Sequence, residues 1–184
     1  VILATDNDNL LVFTSRNFNT QVCPAGKGAA ICINLCQLVD THDIHRVIRM
    51  QEHSQGVVAD DVLDGVLEAL RIAEKRFDGL VLWQTEAPFS AGANLAQAVP
   101  VLQAGDFVTF ENTVAKFQHT TAALRYSALP VVAAAQGLAL GGGCEFLMHC
   151  DRVVAALESY IGLVEVGVGL IPAGGGCKEF ALRA

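Results

Sequence analysis

The chain has 184 residues, 52% of them hydrophobic and 17% charged, which is one-domain size with ample material for a core. A net charge of −7 and an isoelectric point near 5.1 argue against a nucleic-acid or anionic-membrane surface, and no basic run or aromatic-basic interleaving is present. Six cysteines, at 23, 32, 36, 144, 150 and 177, lack the density of a secreted disulfide scaffold, so reduced thiols and a cytoplasmic setting are expected.

The N-terminus, VILATDNDNLL, has neither a basic leader nor a cleavage site, so no signal peptide is read there, and Val1 in place of Met suggests a processed or excised piece. Residues 1–4 and 10–14, flanking the polar turn DNDN, predict a β-hairpin. Composition then changes over residues 21–56, where Ile31, Ile33, Leu35, Leu38 and Val39 allow a packed helix. Cys32, Cys36, His42 and His45 could be drawn as a zinc site, but C-x3-C and H-x2-H fall outside the usual ligand spacing and no metal is expected.

Asp60 or Asp61 is expected to cap a helix over 62–76, whose Val62, Leu63, Val66, Leu67, Leu70 and Ala73 form an apolar stripe. The continuous apolar run Gly79–Trp83 reads as a strand buried on both faces. A long helix follows over 107–126, with Phe110, Val114, Phe117, Thr121 and Leu124 on one side and His119 on a solvated face.

Residues 130–176 hold the densest glycines and the two most suggestive carboxylates. Val131–Ala135 is a buried-strand run, followed by Gly141, Gly142 and Gly143 and by a helix opening over 144–149. The stretch 130–148 is apolar enough to be mistaken for a membrane span, yet Gln136, three consecutive glycines and Glu145 make it a core strand and turn. Further strands are predicted at 151–156 and 159–163, and a turn at 174–176 before a final helix. The alternation is that of βαβ units, without a Rossmann or P-loop glycine fingerprint.

A strand feeding a glycine turn and a helix start is an anion-binding arrangement, because a main-chain N–H there can point at developing negative charge. Glu145 lies in the first turn beside it, and Glu165 sits among apolar residues and glycines, where an unpaired carboxylate is costly to bury. Two carboxylates and a backbone donor suggest acid/base work on a carbonyl compound. Taken singly, Glu145 reads first as a helix N-terminal acid and Glu165 as a loop-bonded carboxylate, and only their combination with the glycine pattern favours chemistry. Cys144 and His149 form no convincing nucleophile pair, and with Asp151 and Glu158 they are read as core filling and surface contacts.

From Gly79 to Ala184 the residues resemble the enoyl-CoA hydratase/isomerase (crotonase) superfamily: FSAGANL after a strand, the GGG-C-E turn, a second Glu twenty positions on, and G-x-x-P-x-G-G-G. The wording SYIGLVEVGVGLIPAGGG is similar to the hydratase part of bacterial 3-hydroxyacyl-CoA dehydrogenase/enoyl-CoA hydratase fusion proteins. The resemblance implies an α/β crotonase-like fold, a ββα superhelix, over residues 1–184. Residues 21–56 stand as an unaligned insertion, and the C-terminus is shortened at Ala184, where family members continue into further helices.

The resemblance also implies an enoyl-CoA hydratase acting in β-oxidation. The N–H groups of Ala93 and Gly142 are then the oxyanion donors, Glu165 the acid/base that supplies the α-proton, and Glu145 the group that orients and activates water. Ala91, Gly92, Asn94, Leu95, Gly141, Gly143, Pro172 and Gly174 are then substrate-binding, 95–104 a mobile covering segment, and Asn17 and Asn19 lie along the CoA site. Asn94 stands where the family has Asp. Coenzyme A enters as part of the substrate, no cofactor is held permanently, and a homo-oligomer, either a trimer or a dimer of trimers, or a larger fusion protein is implied. An enoyl-CoA isomerase and a CoA-binding or assembly fragment without turnover are the alternatives.

Overall fold

Runs of β-branched and small apolar residues alternate here with amphipathic runs, and the chain follows a repeated path of strand, short strand and helix. The computed structural model describes residues 57–77, 79–84 and 87–184, together with the backbone of four earlier strands.

Strands β1 (Ile2–Asp6) and β2 (Asn9–Phe13) pair antiparallel from Ile2 with Phe13 to Asp6 with Asn9, which is the predicted hairpin with each strand moved by a residue or two. Strand β3 (Ala30–Asn34) follows, then β4 (Ile48–Arg49) and β5 (Val57–Val58). The helix allowed around Ile31 and Ile33 is therefore replaced, at those residues, by a strand; alternate β-branched side chains suit an extended backbone better than a helix. Asn17, Asn19, Cys23, Cys36, His42 and His45 lie outside the described residues, as does the side chain of Cys32.

Helix α1 (Asp60–Arg76) leads to β6 (Gly79–Trp83) and β7 (Gly92–Ala93). Helices α2 (Leu95–Gln103) and α3 (Phe107–Arg125) come next, then β8 (Val131–Ala135), β9 (Leu138–Leu140) and α4 (Gly142–Met148). Strands β10 (Arg152–Ala155) and β11 (Tyr160–Gly162), a 3-10 turn (Glu165–Val168) and α5 (Gly176–Arg183) complete the path.

The main sheet is parallel throughout, in the order β10-β8-β6-β3-β4. Each of its later strands is followed by a short segment that leaves for a second ladder. After β8 the chain forms β9, which pairs in parallel with β11 and bridges to Ser90. After β6 it forms β7, which pairs in parallel with β5. This stepping between ladders, each step closed by a helix, is the ββα superhelix.

The core lies between the sheet and α1, with Val62, Leu63, Val66, Leu70 and Ala73 packed with Leu80, Leu82, Val131 and Ala133. Burying each of the larger of these side chains stabilises by roughly 1.5–3 kcal/mol. In β8, Ala133, Ala134 and Ala135 are all buried, as expected for a strand with no solvated face.

Three local details follow from the backbone. The first helix begins at Asp60, with Ala59 at its cap position and no side-chain cap bond, so Asp60 and Asp61 act on the helix dipole from inside the first turn. The segment expected to cover the ligand, 95–104, is helix α2 over residues 95–103, capped by the Asn94 side chain accepting from the Gln97 N–H at 3.3 Å. Helix α4 starts at Gly142, two residues before the expected opening, and this moves a free helix-end donor onto a glycine.

Candidate functional site

Each glycine of the central turn meets a different wall. Gly141 has φ 51°, and a Cβ placed there would come within 2.9 Å of Oε1 of Glu165. A Cβ on Gly142 would lie 2.8 Å from Cζ of Phe117 and 3.6 Å from the Ala93 nitrogen, and one on Gly143 would lie 2.5 Å from Cβ of Ser90. The triplet is required by close approach as well as by backbone shape.

The same approach brings two main-chain donors together. Gly142 is the first residue of α4, so no carbonyl of that helix can reach its N–H. On the facing side, the Asn94 N–H donates to the Val58 carbonyl at 3.2 Å, and alternation along the strand turns the preceding N–H, that of Ala93, away from β5. Gly92 makes the turn with φ 103°, and its own N–H donates to Oγ of Ser90 at 3.1 Å. Ala91 and Leu95 are exposed, Asn94 is half-buried and occupied as the α2 cap, and Gly92 is buried.

Glu145 is only 3% exposed. The Gly176 N–H donates to its Oε1 at 2.8 Å, and a Cβ on Gly174 would come within 2.5 Å of its Oε2. The segment around Pro172 is tied down by the Gln118 side-chain amide, donating to the Ala173 carbonyl at 2.7 Å, and by the Thr121 hydroxyl, donating to the Gly174 carbonyl at 2.7 Å. The turn before α5 covers residues 173–175, with Gly176 opening the helix, and residues 174–176 lie against the Glu145 carboxylate. Pro172 is half-buried, and a Cβ on Gly176 would meet its own Cβ at 2.9 Å.

Burial pushes the Glu145 carboxyl above its ordinary value; the Gly176 N–H opposes this, the charge of Glu165 adds to it, and the Gly174 amide opposes it weakly. Glu165, in the 3-10 turn, is half-buried, and its Oε2 is buried without a hydrogen-bond partner. A buried carboxylate oxygen left without a donor is costly unless something supplies one.

The Cys144 thiol is raised to about 11 by burial and by the charges of Glu145 and Glu165, which removes the thiolate a nucleophile needs. The His149 ring does not serve that thiol: its Nδ1 is 2.7 Å from the Glu145 carbonyl oxygen. His119 is exposed, as are Asp151 and Glu158. Among the described residues, no group of three His, Cys, Asp or Glu side chains could hold a metal ion, and no described helix is long and apolar enough to cross a membrane.

The amide of Gly176 was not visible as a partner of Glu145 in the sequence, because contacts across 31 positions carry no periodic signal. Phe117 was legible as a buried helix position but not as the ring against Gly142 and Gly174. Glu179 carried no sequence signal at all, although it is 1% exposed.

Known proteins show the same arrangement of sequence and fold. Residues 46–183 match the family model described as enoyl-CoA hydratase/isomerase. A probable 3-hydroxyacyl-CoA dehydrogenase of Bacillus subtilis (strain 168) is 36% identical over 169 residues, covering 91% of this chain and 21% of that protein. A probable enoyl-CoA hydratase of Rhizobium meliloti (strain 1021) is 35% identical over 119 residues, covering 64% of this chain and 43% of that protein. The crystal structure of an enoyl-CoA hydratase from Polaromonas sp. JS666 superposes with a TM-score of 0.66 at 28% identity, over 70% of this chain and 50% of the other. The chain therefore spans well under two thirds of each of these proteins. A glycine turn that opens a helix on a buried glutamate, a ββα superhelix and a family match covering most of the chain agree with one another: this chain belongs to the enoyl-CoA hydratase/isomerase family.

Proposed function

We propose that the chain carries the hydratase chemistry of its family, adding water across the 2-trans double bond of an enoyl-CoA thioester. The observation that carries this reading is the placing of two carboxylates, Glu145 and Glu165, beside the turn that brings the N–H groups of Ala93 and Gly142 together.

Attack at the β-carbon moves negative charge onto the thioester oxygen as an enolate. Two N–H groups aimed at that oxygen lower the barrier, and losing one such donor typically costs ~2.7–4 kcal/mol. Glu145 orients the water and takes its proton as the C–O bond forms; the raised proton affinity that burial gives it suits a base. Glu165 delivers a proton to the α-carbon, and its partnerless Oε2 is the oxygen free to bind water. The proton gained by one carboxyl equals the proton lost by the other, so the two act as a coupled pair and reset through solvent.

Coenzyme A is then part of the substrate, and no permanently held cofactor takes part. The reading also places the chain in fatty-acid β-oxidation, as a homo-oligomer of the trimeric kind or within a larger protein that includes a dehydrogenase. Isomerisation of the double bond is the competing reading and can proceed with a single carboxylate, so the presence of the second favours hydration. The test is loss of the conjugated thioester absorbance of a short 2-trans-enoyl-CoA with the 184-residue chain, alongside Glu145→Gln and Glu165→Gln. Activity lost in both variants supports hydration; activity that survives in Glu145→Gln, with a shifted double bond as product, replaces it with isomerisation.

A further inference from the structure

The mechanism above uses neither His149 nor Glu179, yet both are buried, at 2% and 1% exposed, and they face each other. Glu179, on α5, has its Oε1 at 3.8 Å from Nε2 of His149 and 3.1 Å from Nζ of Lys178; its Oε2 meets Arg183 at short range and lies 3.7 Å from Arg125. Burial pushes this carboxyl up, but the nearby Lys178 ammonium, the Arg183 bond and the charge of Arg125 outweigh it and hold the group below its ordinary value, while Oε1 is buried without a hydrogen-bond partner. An ionised carboxylate therefore stands behind the ring.

His149 closes α4, and its Nδ1 lies 2.7 Å from the Glu145 carbonyl oxygen. A carbonyl only accepts, so Nδ1 carries the hydrogen and donates it. The other edge of the ring lies on Gly175, which has φ 113°; a Cβ there would come within 2.7 Å of Cε1 and 2.8 Å of Nε2. The next residue, Gly176, gives its N–H to Oε1 of Glu145 at 2.8 Å. Arg183 closes the same frame from the other end of α5, donating from Nη2 to the Met148 carbonyl at 2.7 Å. The ring thus holds the main chain of Glu145 on one side and seats, on the other, the turn that holds its carboxylate.

We propose that His149 is a positioning residue for Glu145: it fixes the spacing between α4 and the 175–176 turn, and so sets the direction in which the Glu145 carboxylate points. The kinetic part rests on the hydratase reading; the structural part does not. His149→Met keeps the volume and removes the donor, whereas in His149→Asn the carboxamide N–H can still reach a carbonyl one turn back.

The deciding measurement is the 13C-carboxyl titration of Glu145 in glutamate-labelled 184-residue chain, the signal being assigned by its absence in Glu145→Gln. Once the turn shifts, the Gly176 N–H no longer favours the ionised form, so the Glu145 midpoint moves up in His149→Met and returns toward wild type in His149→Asn. On enoyl-CoA, kcat falls about tenfold in His149→Met with KM held within about twofold, and His149→Asn recovers most of the loss. A Glu145 midpoint unchanged in His149→Met, or shifted equally in His149→Asn, overturns the proposal and leaves the ring a space-filler. A wild-type chain without hydration would sink the hydratase reading, and the titration would still decide the role of His149.

Discussion

Gly141 and Glu165 exclude each other's growth: a Cβ on Gly141 would sit 2.9 Å from Oε1 of Glu165. Gly141 also holds φ 51° and donates its N–H to the Gly162 carbonyl at 2.9 Å, so this backbone is fixed on the side that leads to the Glu165 turn. Gly141→Ala is expected to cost about 1–3 kcal/mol of stability through the positive φ and to push Glu165 aside. Hydration should fall by more than the loss of folded protein accounts for, which kcat measured beside a urea melt will show. A variant with wild-type kcat would mean that Glu165 has room to move without consequence.

The Glu145 carboxyl has a folded-state pKa above its ordinary value, led by burial. The folded chain therefore binds this proton more tightly than the unfolded chain, and stability falls as pH rises from the unfolded value through the raised folded value. Glu145→Gln escapes that loss. Its Tm relative to wild type should be more favourable at pH 8 than at pH 4, and the difference should shrink as pH falls through the ordinary carboxyl range. In thermal melts across this interval, a difference that grows toward acid would contradict the assignment.

Phe117 packs against Phe146, with ring centroids 5.4 Å apart and planes at 44°, and its ring fills the space that Gly142 and Gly174 leave open. Phe117→Ala should destabilise by about 3–5 kcal/mol, and Phe117→Leu by less, as read from urea unfolding midpoints. Because the ring rests on the Gly142 donor and on the Gly174 turn beside Glu145, even Phe117→Leu should lower kcat.

Thr121 Oγ1 donates to the Gly174 carbonyl at 2.7 Å, in the interior. Thr121→Val keeps the shape and strands that carbonyl, at a cost of about 1–3 kcal/mol. The predicted functional effect is a lower kcat through a looser turn at Glu145, and a chain of unchanged stability and rate would show that the carbonyl finds another donor.

How much of this could be read beforehand depended on the range of the interaction. Gly79–Trp83 and Val131–Ala135 were legible to the residue, because a run of Val, Leu and Ala bounded by Gly and Pro leaves few alternatives. Helix α3 followed from spacing alone, and of its expected stripe Phe117, Thr121 and Leu124 are buried while Phe110 and Val114 are only half-buried. Strand β9 was not read, because three residues inside a glycine-rich run have no periodicity; its conformation comes from pairing with Tyr160–Gly162. The strand around Ile31 depends likewise on a partner, β6, far along the chain. At the site, GGG-C-E marked the turn and its glutamate, and the resemblance marked Glu165. The Glu179, His149 and Gly175 contacts lay hidden because they join the end of α4 to α5 and the turn before it across some thirty positions.

Strand β3 has a further consequence. It lies between β6 and β4, pairing with β6 from Ala30 with Gly79 through Asn34 with Trp83. The sequence alone suggests that residues 21–56 are an insertion, a loop that could be trimmed away, yet the family match already begins at residue 46. Without residues 30–34, however, β6 would become an open margin, its amides and carbonyls a ready template for a strand from another molecule. Trimming residues 30–34 would turn a folding unit into one that recruits its own copies, so this short strand is what keeps the sheet to itself.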